Sequence, residues 1–176
     1  MEQDQNPHRR SGIALLVIAW TLVFGLAFWY FNGWERRQYN PNPQVLLQKQ
    51  SEELVLKRNR EGHYVAEGEI NGARVIFLLD TGATQVAIPA RLARRLDLRR
   101  GQDIVLNTAN GRVIGHETRL HSVRVGPIEM HDVSAVATEG MEGETVLLGM
   151  SFLKRLEFTQ REDRLILRQS KTTPEG

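Results

Sequence analysis

Asp80-Thr81-Gly82-Ala83 is the segment of this sequence best suited to chemistry. It follows the apolar run of residues 75–79 and precedes a second apolar group at residues 86–89. We therefore expect a strand to deliver Asp80 to a tight turn, where Gly82 gives the backbone freedom to bring main-chain N–H groups towards the carboxylate. A carboxylate held in this way can accept a proton from water. The alternative is an ordinary solvated turn, because Asp and Gly are common turn residues.

Two later segments give this turn a context. Residues 145–153 predict a buried strand, a turn at Gly149 and a short helix. Between the two segments, Asn110-Gly111 favours a two-residue hairpin turn. In this order, over residues 54–167, the three elements resemble the active-site turn, the flap hairpin and the hydrophobic-hydrophobic-Gly element of retroviral-type aspartic peptidases (retropepsins). The resemblance is closer to the bacterial, membrane-anchored members.

The resemblance implies an all-β fold, namely a retropepsin-like closed β barrel with a flap hairpin and one or two short helices. The residue pattern also favours a barrel, because short apolar runs recur at close spacing. Residues 54–79 predict a β-meander that ends at Asp80, and residues 89–96 a short helix. Further strands are predicted at residues 104–106, 113–114, 120–125, 133–137 and 146–148, with a final pair at 156–158 and 165–167.

The same resemblance implies a role for each residue of the site. Asp80 is catalytic, and Thr81, Gly82 and Ala83 complete the active-site turn. The flap is the hairpin of residues 104–116, and its tip is formed by Thr108, Ala109, Asn110 and Gly111. An extended protein or peptide substrate lies between the flap and the active-site floor. Candidates for its apolar pockets, each also explained as core, are Val86, Ile88 and Ile114.

Peptide hydrolysis without a metal or a covalent nucleophile can be done by two carboxylates that share one proton. Two carboxylates close enough to share a proton repel each other when both are ionised, so the pair retains that proton. The chain carries one Asp-Thr-Gly. We therefore expect a homodimer in which the two Asp80 side chains, one from each subunit, meet at a two-fold axis. The possible internal partners, which their sequence context assigns to turns or surface, are Asp97, Asp103, Asp132 and Asp163.

The sequence thus predicts a membrane-anchored, homodimeric aspartic endopeptidase. The alternative is a non-catalytic retropepsin-like domain that dimerises or binds peptides and uses Asp80 only as a turn residue. Other chemistries lack their residues: Leu153 stands where a serine-hydrolase elbow needs glycine, and the five histidines show no metal-ligand spacing. We expect no metal and no cofactor. A net charge of +2 gives no reason to expect nucleic acid as a partner.

Residues 12–31 form a run of twenty without a charge, long enough to span a bilayer core of about 30 Å as a helix. A cleaved signal peptide is the alternative, but this run ends in Phe28-Trp29-Tyr30-Phe31, which suits an aromatic belt at a membrane interface. Arginines flank both ends, so charge does not decide the orientation. The resemblance to bacterial membrane-anchored members implies a single-pass protein of the inner (cytoplasmic) membrane with a periplasmic catalytic domain.

The predicted organisation has five parts. A short tail (residues 1–11) precedes the transmembrane helix (12–31), and a polar linker rich in Asn, Pro and Gln (32–53) leads to the peptidase domain (54–170). A second short tail (171–176) follows. The absence of cysteine fits either side of the membrane.

Overall fold

The computed structural model describes residues 7–45, 53–108 and 111–169. The chain forms two compact units, Met1–Gln38 and Tyr39–Gly176. The elements that position the site belong to the second unit.

The first helix, α1, spans Pro7–Tyr39 and is longer at both ends than the predicted span of residues 12–31. It continues past the apolar run because Glu35, Arg36 and Arg37 are good helix formers. It ends where Asn40 precedes Pro41, since the residue before proline disfavours helical conformation. Within α1, the stretch Gly12–Glu35 has a mean hydropathy of 2.2. A helix of this length and composition suits a membrane span or an N-terminal signal sequence.

The second unit is almost entirely β-structure with two short helices, as predicted. In chain order its elements are β1 (Glu53–Lys57), β2 (Val65–Ile70), β3 (Ala73–Leu79), β4 (Val86–Pro89), α2 (Ala90–Arg95), β5 (Asp103–Thr108), β6 (Gly111–Val125), β7 (Ile128–Thr138), β8 (Thr145–Leu148), α3 (Met150–Leu153), β9 (Leu156–Arg161) and β10 (Arg164–Gln169). The short helices α2 and α3 lie where the sequence predicts them.

Six strands close into a barrel. Around it the order is β2, β3, β8, β4, β7 and β6, and β6 pairs with β2 to close the ring. β5 lies outside the ring, and among the described strands it pairs only with β6. Inward side chains alternate with outward ones along the strands, as Val75 and Phe77 do with Arg74 and Ile76 in β3.

The barrel interior is an apolar core. Among its fully buried side chains are Phe77, Leu120, Leu148 and Phe152. Gly68 in β2 makes room for the Phe77 ring, because a Cβ atom there would lie 2.5 Å from a ring carbon. The closed ring of six strands and the hairpin of β5 and β6 confirm the closed barrel with a flap hairpin that the sequence predicts.

Two local predictions are wrong. β1 does not join a meander with β2 and β3; it pairs with β10, which pairs with β9, in a separate three-stranded sheet. The predicted strands at residues 113–114 and 120–125 form one continuous strand, β6. β6 pairs with β5 along its first part and with β7 from Gly115 onward, so backbone pairing continues through the polar residues between the two apolar runs.

Residues 40–45, which the sequence assigns to the linker, pack on the barrel unit. We name this segment the strap. The Asn42 side chain donates to the carbonyl oxygens of Lys57 and Val65, both at 2.8 Å, and accepts from the Lys57 N–H at 2.8 Å. Val45 is buried in the core beside Leu54. The strap therefore ties the start of the second unit to β1 and β2.

Candidate active site

The site lies where two parallel strands end side by side. Leu79 of β3 is in register with Leu148 of β8, and the N–H of Asp80 donates to the Leu148 carbonyl at 3.2 Å. The next residues along the two strands are Asp80 and Gly149. Because both strands run into turns here, a carboxylate and a glycine leave the barrel at the same edge.

The Asp80 turn has the conformation that the sequence predicts. The Ala83 N–H donates to the Asp80 carbonyl at 3.3 Å, which closes the turn. The Gly82 N–H donates to Asp80 Oδ1 at 2.8 Å. Asp80 is partly buried, while Thr81 and Gly82 are exposed. The main chain therefore orients the carboxylate without burying it.

Gly82 also leaves space for the Asp80 carboxylate. A Cβ atom at this position would lie 3.1 Å from Asp80 Oδ1, closer than a comfortable contact. A side chain here would press on the oxygen that the Gly82 N–H holds.

The turn is supported from below by the start of α3. Gly149 approaches the active-site loop so closely that a Cβ atom would lie 2.2 Å from the Gln85 carbonyl oxygen and 2.6 Å from that of Ala83. The next two N–H groups donate into the loop: Met150 to the Ala83 carbonyl at 2.8 Å, and Ser151 to the Thr84 carbonyl at 3.0 Å. Only glycine allows this contact at position 149.

Ser151 adds a side-chain support that sequence reasoning did not assign. Its hydroxyl donates to the Ser134 carbonyl of β7 at 2.7 Å and accepts from the Val86 N–H at 3.0 Å. One oxygen atom thus joins α3, the barrel strand β7 and the end of the active-site loop. The available signal was a hydroxyl two residues after Gly149, but its hydrogen-bond partners are distant in sequence.

The predicted flap corresponds to β5 and the first part of β6. Thr108 is in register with Gly111, and its hydroxyl donates to the Gly111 carbonyl at 2.8 Å. Gly111 has φ +106°. It is the first residue of β6, whereas the sequence places it in the hairpin turn. The other two predicted tip residues, Ala109 and Asn110, lie outside the described residues.

The hairpin presents an apolar pair on one face. Val105 and Ile114 are directly opposite each other, and they are 60% and 71% exposed. On the other face of the hairpin, Leu106 lies against Gly115 of β6, and Val113 lies against Gly140 in the segment between β7 and β8.

The three candidate pocket residues differ in position. Val86 and Ile88 are fully buried in the barrel core, so neither offers a free surface to a ligand in this structure. Ile114 is exposed on the hairpin and is the most accessible of the three to a ligand. A role in substrate binding stays a prediction for each of them.

The described residues offer Asp80 no internal aspartate partner in a comparable setting. Asp97, Asp103, Asp132 and Asp163 are all exposed. Within the same described part of the chain, no three His, Cys, Asp or Glu side chains form a group that could hold a metal ion.

Two ion pairs link α2 to the segment between β7 and β8. Arg94 contacts Glu139 at 2.6 Å, and Arg95 contacts Glu144. In each pair the hydrogen bond from the guanidinium lowers the carboxyl pKa below its ordinary value. All four side chains are exposed, so each pair contributes little stability.

Comparison with known proteins agrees with this geometry. Residues 66–155, just over half of the 176-residue chain, match the family described as "gag-polyprotein putative aspartyl protease". An uncharacterized protein from the cobV 5′ region of a Sinorhizobium species is 32% identical over 121 residues, which cover 66% of this chain and 52% of that protein. An uncharacterized protein of Rickettsia prowazekii (strain Madrid E) is 31% identical over 119 residues, which cover 65% of this chain and 51% of that protein. The chain thus spans about half the length of these two relatives.

A solved structure shows the same fold. The crystal structure of a retropepsin-like aspartic protease from Rickettsia conorii matches with a TM-score of 0.55 at 28% identity, covering 66% of this chain and 90% of that one. The segment that matches the family model, residues 66–155, includes the Asp80 turn, the flap hairpin and Gly149. By its matched residues, its barrel and its Asp-Thr-Gly turn, this chain belongs to the gag-type aspartyl protease family and has the retropepsin-like fold.

Proposed function

We propose that this protein is a homodimeric aspartic endopeptidase, held at a membrane by α1, in which Asp80 of each of two copies takes part in one active site. The observation that supports this best is the Asp80 turn itself. The Gly82 N–H fixes the carboxylate, Gly149 and Ser151 clamp the loop, and the carboxylate stays partly open to solvent. If Asp80 were only a structural turn residue, the contact from the Gly82 N–H would be enough, and the loop would not need the contacts from Gly149 and Ser151.

The chemistry follows from two such carboxylates. One Asp80, ionised, takes a proton from a water molecule, and the water oxygen attacks the carbonyl carbon of the scissile peptide bond. The other Asp80, protonated, donates a hydrogen bond to the carbonyl oxygen as negative charge develops there. The tetrahedral intermediate then collapses: the first Asp80 passes the proton it took from water to the amide nitrogen, the C–N bond breaks, and the amine and the carboxylic acid are released.

The exposed turn allows this pairing. Thr81 and Gly82 are exposed beside Asp80 in the single chain, so a second copy can approach without displacing core residues. We assign to Thr81 a hydrogen bond across the two-fold axis, and Ala83 is small enough to leave room for it.

The hairpin of β5 and β6 supplies the cover. The exposed pair Val105 and Ile114 gives it an apolar surface to lay on an extended peptide and exclude water from the site. We assign Ile114 to substrate contact on this ground.

The proposal includes a location, the inner membrane of a bacterium with the peptidase domain in the periplasm. The length and hydropathy of Gly12–Glu35 support a membrane span. Confining two copies to one membrane would raise their effective concentration and favour the dimer.

The proposed catalyst is tested with the full-length chain in detergent and a denatured protein substrate, with products read by mass spectrometry. Asp80→Asn should abolish cleavage with the fold retained, because an amide cannot act as the base. Asp163→Asn, a matched change in an exposed turn, should cleave at the wild-type rate. Undiminished cleavage by folded Asp80→Asn would remove Asp80 from the mechanism. Peptide binding by the wild type without cleavage would favour the non-catalytic domain instead.

The dimer has a separate test. Specific activity should fall on dilution, and excess Asp80→Asn protein should inhibit the wild type by forming mixed dimers. Sedimentation over the same concentration range shows the assembly state. A monomer with full specific activity would exclude a site shared between two copies.

A further inference from the structure

A cavity of about 450 Å³ lies beside the active-site loop, and the proposed mechanism does not use it. One wall is Gln85, the fifth residue after Asp80, together with Ser134 of β7. The other wall is the base of the flap hairpin, with Arg99, Arg100 and Arg119. We name this cavity the arginine pocket.

The lining of the arginine pocket carries excess positive charge. It includes three arginines and one carboxylate, Glu117. Arg100 is bonded to Asp103 at 2.8 Å. Across the described residues, no carboxylate lies within ion-pair distance of Arg99 or Arg119. Two guanidinium groups are therefore available to an anion that enters the pocket.

The backbone around these arginines is fixed in place. The Thr118 hydroxyl, itself buried, donates to the Arg99 carbonyl at 2.7 Å. The Gly101 N–H donates to the Glu117 carbonyl at 2.7 Å, and a Cβ at position 101 would meet the same oxygen. The segment that carries Arg99 and Arg100 is thus bonded to the strand that carries Arg119.

The opposite wall is fixed to the catalytic turn. Ser134 gives its carbonyl to the Ser151 hydroxyl, which also holds the N–H of Val86, the residue after Gln85. Under the proposed function, an extended peptide lies between the hairpin and the Asp80 loop. A pocket lined by Gln85 of this loop and by the segments at the hairpin base is therefore placed to receive one of its side chains.

We propose that the arginine pocket binds the carboxylate side chain of an Asp or Glu in the peptide substrate, a few residues from the scissile bond. The inference rests on the proposed peptidase function. The pocket lining joins Gln85 of the Asp80 loop to the segments at the base of the hairpin, and its volume accommodates one side chain. Its free charges match a carboxylate and reject a Lys or Arg side chain.

The experiment uses a library of twelve-residue peptides in which each position in turn is fixed as Glu or as Gln. Binding is measured by fluorescence anisotropy on the full-length Asp80→Asn protein, and cleavage is measured on the protein with Asp80 intact. Each protein is compared with its Arg99→Gln/Arg119→Gln form, and Arg164→Gln, an exposed arginine on β10, is the control. Glu should be preferred over Gln about fivefold to tenfold at one position, and raised salt should weaken this preference.

The results separate this inference from the proposed function. In the double variant the Glu-to-Gln ratio should fall to about one, while Arg164→Gln keeps it. A Glu preference in binding without any cleavage would support the pocket and overturn the peptidase. Cleavage without a Glu preference, or a preference that survives in the double variant, would overturn the pocket and leave the peptidase standing. Neither binding nor cleavage of any peptide would overturn both.

Discussion

Replacing Ser151 with alanine should weaken the active site more than it weakens the fold. The change removes one oxygen that accepts from the Val86 N–H and donates to the Ser134 carbonyl. A lost hydrogen bond costs about 1 kcal/mol net, and a part-buried N–H left without an acceptor costs about 1–3 kcal/mol. We therefore expect the free energy of unfolding to fall by about 2–4 kcal/mol.

This loss alone leaves the protein folded, because domains of this size have about 5–15 kcal/mol of stability. The effect on catalysis should be larger than the small unfolded fraction explains. Without the Ser151 hydroxyl, the loop from Asp80 to Val86 is held to α3 by the main-chain hydrogen bonds from Met150 and Ser151. A displacement of about 1 Å at the reacting groups can cost about a hundredfold in rate, so we expect kcat to fall at least tenfold.

Both quantities are measured on the full-length chain in detergent. Circular dichroism in urea follows unfolding, because all three tryptophans lie in α1 and their fluorescence does not report on the barrel. Peptide cleavage gives kcat at the same temperature. Ser122→Ala is the matched control. It also removes a serine hydroxyl, but from β6 where this strand pairs with β7, away from the Asp80 loop.

The reasoning fails if Ser151→Ala loses less than about 0.5 kcal/mol, since the hydroxyl would then not be the acceptor that Val86 needs. It also fails if kcat falls no further than in Ser122→Ala while stability drops as expected. The hydroxyl would then stabilise the barrel without positioning Asp80.

Two further predictions concern stability. Asn42→Ala should lower the free energy of unfolding by about 2–4 kcal/mol in a urea titration, because three side-chain hydrogen bonds to the main chain of β1 and β2 are lost; a change below about 1 kcal/mol would show that the strap is dispensable. Glu139→Gln should lower Tm slightly at neutral pH. Its pKa is depressed by Arg94, so the ion pair stabilises above the ordinary carboxyl value of 4.5 and this contribution is lost as pH falls further. A Tm difference from wild type that grows on acidification would contradict this assignment.

The sequence predicts the local parts of the site well, because each has a short-range cause. Apolar runs that end at Asp80 and Gly149 predict strands entering turns, and the pairing of β3 with β8 brings these turns together. A glycine two residues after an aspartate predicts the contact from the Gly82 N–H. The Asn110-Gly111 pair predicts the hairpin in the same way, although Gly111 lies one position outside the turn and pairs with Thr108.

The features that the sequence does not reveal depend on distant partners. The Ser151 hydroxyl meets residues 17 and 65 positions away, and Asn42 meets residues 15 and 23 positions away. No periodicity marks such a contact, since it depends on where the barrel places a free carbonyl or N–H. The arginine pocket is of the same kind, because Arg99 and Arg119 line one cavity only when the segment before β5 is hydrogen-bonded to β6.

The strap bears on how the domain could be released from its N-terminal helix. Asn42 and Val45 are held by β1, β2 and the core, while the chain that joins them to β1 passes through residues 46–52. A single proteolytic cut within residues 46–52 would break the covalent link and leave those non-covalent contacts intact. The two fragments would stay together, as in a nicked protein, until the strap dissociates. Shedding of the domain would thus need a cut before residue 40, or a cut followed by dissociation whose rate Asn42 controls.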